Sequence, residues 1–221
     1  MSIGRINRII FSVFAISCLL TGCVSKEKTT ERMYQALENV VEAEKLFEEQ
    51  QEPLVELEKQ EKEIYNKIMA LGMKQHDEIV KLSDEALSII NKRREHLQKE
   101  IDSINASKTE FKQAEEINNE INDHDQKKKA SELLEIMRNR YKVHSQLTKE
   151  YSNALDSDKE LYLMLKNESV SYEKLEDHVT NLNTIYKKVY DKNEEFNELT
   201  AQYNKKKLEF YREAGLKLEN A

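Results

Sequence analysis

Cys23 is the residue whose type and neighbours most clearly indicate a chemical reaction. It ends the tetrapeptide Leu20-Thr21-Gly22-Cys23, in which an aliphatic residue and two small residues precede a cysteine. This order matches the bacterial lipobox, in which the cysteine thiol receives a diacylglyceryl group and a peptidase then cleaves before that cysteine. The peptidase must approach the backbone closely at the scissile bond, so the preceding residues must be small. The pattern predicts lipid attachment at Cys23 and cleavage between Gly22 and Cys23.

The residues before this motif have the layout of an export signal. Arg5 and Arg8 supply a short positive region, and an apolar run follows over 9–20. A membrane-spanning helix needs about 20 apolar residues, so this shorter run is typical of a signal peptide. The alternative is an uncleaved signal anchor in which Cys23 is incidental.

Processing at Cys23 would define the organisation of the chain. We predict a signal peptide over 1–22, the lipidated cysteine with a short polar tether over 23–29, and one folded domain over 30–221. Two acyl chains, for example palmitate, anchor a protein stably where one does not. The membrane would therefore be a partner, and the expected location is the outer face of the cytoplasmic membrane. Cys18 would leave with the signal peptide, so no disulfide is expected.

The histidines do not have the spacing of a metal site. Di-iron helical bundles use Glu-x-x-His, yet no acidic residue lies three positions before any histidine in this chain. Successive histidines are also at least 20 residues apart, which excludes local zinc pairs. We therefore expect no metal and no cofactor. The five histidines are His76, His96, His124, His144 and His178.

Two acidic clusters resemble cation-binding loops without completing one. Asp156-Ser157-Asp158 with Glu160 imitates the start of an EF-hand, but Leu161 replaces the required glycine and Asn167 the bidentate glutamate. We interpret that stretch as an exposed helix face. Asp123-His124-Asp125 is interpreted as a solvated turn, with contact to a cation as the alternative.

The sequence lacks the residue patterns of phosphate-binding loops, nucleophilic active sites and nucleic-acid interfaces. Four glycines cannot supply a phosphate-binding loop, and no serine has the setting of a nucleophile. An isoelectric point near 5.5 argues against nucleic acid. The basic runs Lys127–Lys129 and Lys205–Lys207 are interpreted as solvated helix faces, with contact to anionic wall polymers or lipid head groups as the alternative. We predict that the chain is not an enzyme and has no catalytic residues.

Tyrosines are concentrated in the second half of the chain. Such residues often lie at the edge of a core with the hydroxyl in water, and this is our interpretation. The alternative is a face on the last two helices that contacts sugars or peptides. The eight residues are Tyr141, Tyr151, Tyr162, Tyr172, Tyr186, Tyr190, Tyr203 and Tyr211.

The remaining pattern is that of long helices. With one proline and four glycines among 221 residues, the chain lacks the turns that sheets require. Apolar residues recur at steps of three and four, interrupted near Gly72, 122–125 and 166–169, and Gly215 ends the last run. The segments have similar lengths, as an up-and-down bundle requires. We predict an all-α, elongated bundle of four long antiparallel helices.

Two features oppose this simple division. Pro53 lies within the first segment and should kink or split it, because proline removes a helix hydrogen bond. A seven-residue apolar register also runs through Gly72 to Ile89, with Glu61 and Gln75 as its polar exceptions. One helix crossing Gly72 would give a three-helix rod, which is the alternative fold.

The export signal, the Leu20–Cys23 motif and the Lys- and Glu-rich helical body together resemble the YkyA-type family of cell-wall-binding lipoproteins from Gram-positive bacteria. The resemblance covers the whole chain, including Cys23, Pro53 and the tyrosine-rich half. It implies a helical bundle outside the membrane that associates with the wall, and it brings no catalytic residues.

The function we expect is that of a non-enzymatic, membrane-anchored extracytoplasmic lipoprotein that binds peptidoglycan or wall polymers. The alternative is a coiled-coil interaction or assembly factor that docks another envelope protein. An exposed apolar strip of the order of several hundred Å² would favour the alternative. A transporter's solute receptor would need two α/β lobes, which the composition excludes.

Overall fold

The computed structural model describes residues 26–71 and 75–215, and these residues are almost entirely helical. No strand occurs among them, so the all-α prediction is confirmed. Four long helical segments are present, the first of which is divided at Glu44. The helices are α1 (Lys26–Ala43), α2 (Lys45–Ala70), α3 (His76–Glu120), α4 (His124–Leu165) and α5 (Tyr172–Glu213).

The breaks between segments lie where the sequence predicts them. Helix α2 ends at Ala70 and α3 begins at His76, so the three-helix alternative is wrong. Gly72, which we singled out for this turn, lies outside the described residues. Asp123 caps α4, since its Oδ1 accepts the backbone N–H groups of Asp125 and Gln126, both at 3.1 Å.

The start and the end of α5 also follow local signals. The Ser171 hydroxyl accepts the backbone N–H of Lys174 at 3.4 Å, so Ser171 caps the start of α5. Gly215 has φ of 73°, the left-handed conformation that commonly ends a helix.

Pro53 does not split the first segment, and this part of our prediction is wrong. Helix α2 continues through Pro53, and the break lies at Glu44 instead. The cause is Ser103 of α3, whose hydroxyl donates to the Ala43 carbonyl at 2.7 Å and accepts the Phe47 N–H at 3.0 Å. The Ser103 hydroxyl thereby replaces the direct helical hydrogen bond from the Phe47 N–H to the Ala43 carbonyl.

The start of α1 also differs from expectation. This helix begins at Lys26, so it includes the last four residues that we assigned to the polar tether. Within the described part of the chain, no helix is both long enough and apolar enough to cross a membrane.

The described residues divide into two compact units. Unit 1 contains 49–71, 75–101 and 145–193. Its helices α2 and α3 are antiparallel, because Gln51 pairs with Glu100 and Glu61 with Arg93. Helices α3 and α4 are antiparallel as well, because Asp84 pairs with Lys166 and Arg94 with Asp156. Its core includes the apolar side chains Leu54, Leu57, Ile64, Ile68, Leu82, Ala86, Ile89, Ile90, Leu97, Tyr151, Leu155 and Tyr162.

Unit 2 contains 26–48, 102–144 and 194–215. Its first segment and α3 are antiparallel too: Arg32 pairs with Glu120, whereas the later residue Glu44 pairs with the earlier residue Ser107. Its core is rich in rings. Edge-to-face pairs join Phe47 to Phe196 at 5.7 Å and Tyr34 to Tyr211 at 4.8 Å between ring centres.

Candidate functional site

The predicted lipid-attachment residue, Cys23, and its neighbour Gly22 lie outside the described residues. Helix α1 begins at Lys26, three positions after Cys23. Within the described residues, the groups whose surroundings could alter their chemistry are the buried charged side chains of the two units.

Unit 1 has a buried charged cluster centred on Arg93 of α3, which is 2% exposed. Its Nη1 donates to Glu61 and, at 3.3 Å, to Asp158. Its Nη2 lies 3.5 Å from Glu58 and donates to the hydroxyls of two tyrosines. We call this group the Arg93 cluster; its members are Glu58, Glu61, Arg93, Tyr151, Asp158 and Tyr186.

The two tyrosine hydroxyls link the cluster across helices. Tyr151 accepts from Arg93 Nε at 3.1 Å and donates to Glu58 at 2.6 Å. Tyr186 accepts from Arg93 Nη2 at 3.2 Å and donates to Asp158. All four helices of unit 1 therefore contribute: α2, α3, α4 and α5.

Acidic groups outnumber the single guanidinium in this cluster, and the pKa values reflect it. Burial raises the pKa of Glu61 to about 7; Arg93 lowers it and Asp158 raises it further. Burial likewise raises the pKa of Asp158, against the effect of Arg93. Burial disfavours the charge of Arg93, but the surrounding tyrosines and carboxylates outweigh that effect and hold its pKa well above normal.

A third buried acid of unit 1, Glu100, lies near the Arg93 cluster. Burial raises its pKa to about 8, and the charge of Glu58 raises it further. The Gln51 amide donates to Glu100 and acts in the opposite direction. The interior of unit 1 therefore favours the protonated form of Glu61 and of Glu100 more than water does.

Unit 2 has a separate buried arginine, Arg140 of α4. Its Nη1 donates to Glu44 at 2.7 Å and its Nε to Thr200 at 2.8 Å. The guanidinium also lies over the Phe196 ring, 4.6 Å from the ring centre. Glu44 accepts a second hydrogen bond, from Ser107 at 2.8 Å, so Arg140 and Ser107 hold the residue at which the first segment breaks.

His144 is the buried histidine of unit 2, and it is not suited to proton transfer at neutral pH. It lies between Phe47 and Phe196, with ring centres 5.6 and 5.5 Å away. Burial, with Arg140 and Lys108, lowers its pKa to about 3. Its Nε2 has no hydrogen-bond partner within the described residues.

The acidic stretch 156–158 differs from our expectation of an exposed face. Asp156 is exposed and pairs with Arg94, but Ser157 and Asp158 are buried. The reason is that Arg93 and Tyr186 supply Asp158 with partners in the interior. The turn at 123–125 is solvated as predicted, with His124 and Asp125 almost fully exposed. Among the described residues, no group of three acidic, cysteine or histidine side chains could hold a metal ion.

Most of the tyrosines of the second half are buried, so our interpretation that they lie at the edge of the core with the hydroxyl in water is wrong. Five are buried: Tyr141, Tyr151, Tyr162, Tyr203 and Tyr211. Tyr186 belongs to the Arg93 cluster, which leaves Tyr172 and Tyr190 exposed. A continuous sugar-binding face of tyrosines is therefore absent from the described part of α4 and α5.

The basic runs are only partly solvated. Lys207 is buried and pairs with Glu38 at 3.2 Å, which our interpretation as a solvated face missed. Lys206 lies near Glu209, and Lys129 pairs with Glu213. Acidic partners therefore pair with Lys129 of the first run and with Lys206 and Lys207 of the second.

Sequence reasoning missed the two buried arginines, although a signal existed. Arg93 stands three residues after Ile90 and four before Leu97, both apolar positions of α3. Arg140 stands three residues after Met137 in the same way. Glu61 was noted as a polar exception in an apolar register, and it is the partner of Arg93. A charged residue in an apolar stripe therefore marks each cluster.

Comparison with known proteins identifies the family. Residues 28–213 match the family model YkyA, described as "Putative cell-wall binding lipoprotein". "Uncharacterized lipoprotein YkyA" of Bacillus subtilis (strain 168) is 36% identical over 207 residues, covering 94% of this chain and 92% of that protein. A crystal structure of a conserved protein of unknown function from Staphylococcus aureus shares the fold, with a TM-score of 0.64, 18% identity, and coverage of 86% of this chain and 97% of that one. The chain belongs to the YkyA family of lipoproteins.

Proposed function

We propose that this protein is a non-enzymatic lipoprotein, anchored through acylated Cys23 at the outer face of the cytoplasmic membrane, whose helices contact the cell wall. The observation that carries the proposal is the Leu20–Cys23 motif directly before a helical body that belongs to a lipoprotein family. The matched residues begin at 28, so the motif and the family match are independent supports.

The internal chemistry of the helices supports a binding role over a catalytic one. The polar groups with perturbed pKa values, such as Glu61, Asp158 and Glu100, are more than nine-tenths buried and paired within the bundle. A general acid or base must instead reach the proton that it transfers, within about 3 Å. These buried groups therefore influence the free energy of unfolding and are not placed to transfer a proton to a bound molecule.

Wall contact is tested by sedimentation with purified, protein-free cell walls. The soluble fragment 24–221 contains every described helix, and we expect it to sediment with the walls in a saturable manner. Walls stripped of their anionic polymers, compared with intact walls, distinguish binding to those polymers from binding to peptidoglycan. The heat-unfolded fragment is the control for nonspecific adsorption. If the folded fragment stays wholly in the supernatant with both kinds of wall, wall binding is wrong.

Docking of another envelope protein is the second candidate, and strongly exposed apolar side chains of unit 1 are its starting point. Tyr172 is 80% exposed and Met69 52%. Crosslinking in intact cells, followed by mass spectrometry, separates the candidates. Crosslinks to one recurring envelope protein would support docking, and crosslinks that trap only lipid and glycan would exclude it. The other exposed large apolar residues are Leu46, Val55, Leu163 and Tyr190.

A further inference from the structure

The two halves of helix α5, all of which is described, differ in how deeply they are buried. In the first half, 172–193, Leu182 is the one large apolar side chain that is fully buried. Its neighbours on the same stripe are only partly buried; they are Leu175, Val179, Ile185 and Val189. The second half, 194–213, buries four aromatic side chains: Phe196, Tyr203, Phe210 and Tyr211. Apolar burial is the main source of helix docking energy, so the first half is the less firmly packed.

Polar contacts join the first half to the other helices of unit 1. The Tyr186 hydroxyl donates to Asp158 and accepts from Arg93 Nη2. His178 Nε2 lies 2.8 Å from the carbonyl oxygen of Ser157 and 3.3 Å from its hydroxyl. Hydrogen bonds to charged groups contribute more than neutral ones, so the Tyr186 contacts stabilise the first half more than the His178 contact does.

The surface beneath the first half tolerates exposure to water. If Tyr186 leaves, Arg93 keeps Glu58, Glu61, Tyr151 and Asp158 as partners, and these charged groups gain hydration. The second half covers aromatic rings instead, since Phe196 packs on Phe47 and Tyr211 on Tyr34. Uncovering rings costs free energy, whereas uncovering a paired charged cluster recovers part of the cost.

We propose that residues 172–193 of α5 form a strap that opens as a unit from the Arg93 cluster while residues 194–213 remain packed. Tyr186 is the latch of this strap, because its hydroxyl joins α5 to charged groups of α3 and α4. This device is independent of wall binding and goes beyond the proposed function.

Hydrogen exchange of the full-length protein in detergent tests the proposal. After correction for intrinsic rates, we expect the amides of 176–190 to exchange at least about tenfold faster than those of 197–212. Equal protection in the two halves would contradict the strap.

Tyr186→Phe tests the latch, since it removes one hydroxyl and keeps the ring. We expect exchange of 176–190 to accelerate by at least about a further tenfold, while 197–212 changes little. Tyr203→Phe is the matched control in the second half, because the buried Tyr203 hydroxyl has no hydrogen-bond partner within the described residues. That variant should leave the protection of both halves unchanged. An equal acceleration of both halves by Tyr186→Phe would overturn the proposal.

Discussion

Replacing Arg93 with alanine should lower the free energy of unfolding by about 3–5 kcal/mol. Arg93 is 2% exposed, and within residues 26–71 and 75–215 it is the one guanidinium that pairs with the carboxylates of Glu58, Glu61 and Asp158. Without it, the buried carboxylates of Glu61 and Asp158 have no compensating charge, and each must be protonated or hydrated. Chemical denaturation at pH 7.5, monitored by circular dichroism, measures the change.

Arg94→Ala is the matched control for that experiment. Arg94 is the next residue of the same helix, its side chain is 39% exposed, and it pairs with Asp156 at the surface. Surface ion pairs contribute at most about 1 kcal/mol, so this variant should stay close to wild type. Similar losses for Arg93→Ala and Arg94→Ala would show that the buried cluster has no special role in stability.

The free energy of unfolding should fall as pH rises from about 5 to 8.5, the reverse of the usual trend. The folded-state pKa is about 7 for Glu61 and about 8 for Glu100, against 4.5 when unfolded. An acid with a raised folded-state pKa stabilises the folded protein fully when the pH is below its unfolded-state pKa. This stabilisation is lost as the pH rises through its folded-state pKa. Each group contributes at most about 1.4 kcal/mol per pH unit within its window. Unfolding in urea at four pH values measures the slope.

His144 acts in the opposite direction at the acidic end. Its folded-state pKa of about 3 lies below the normal 6.5, so its stabilising contribution is present above pH 6.5 and is lost below it. Between pH 6.5 and 8.5 the free energy of unfolding therefore reflects Glu61 and Glu100 without an opposing contribution from His144. Glu100→Gln, which can still accept the Gln51 hydrogen bond, should flatten the slope in that range. A stability that rises with pH there, or an unchanged slope in Glu100→Gln, would contradict this explanation.

Local sequence predicted the helix ends well because each end depends on residues close in the chain. Asp123 and Ser171 cap the helices that follow them, and Gly215 takes the left-handed conformation that ends α5. The break at Glu44 could not be predicted in this way. It depends on Ser103, nearly sixty positions along the chain, whose hydroxyl enters the hydrogen-bond ladder of another helix. Pro53, by contrast, cannot donate a backbone hydrogen bond, yet α2 continues through it.

The buried clusters show the same limit for side chains. The charged neighbours Asp156 and Lys159 predict that Asp158 lies at the surface. It is buried instead, because Arg93 and Tyr186 supply hydrogen bonds to its carboxylate. Burial of an ionisable group depends on a partner from another helix, and periodicity within one helix does not report that partner. The polar exceptions in apolar registers, Glu61 and Arg93, are the nearest the sequence comes to indicating it.

Labelling cells with radioactive palmitate, followed by separation of membrane and soluble fractions, tests the lipid anchor most directly. The wild-type protein should be labelled and should sediment with membranes. Cys23→Ala should lose the label, whereas the control Cys18→Ala should keep it, because Cys18 lies within the predicted signal peptide. Absence of label from the wild type, or equal label on Cys23→Ala, would contradict anchoring through Cys23.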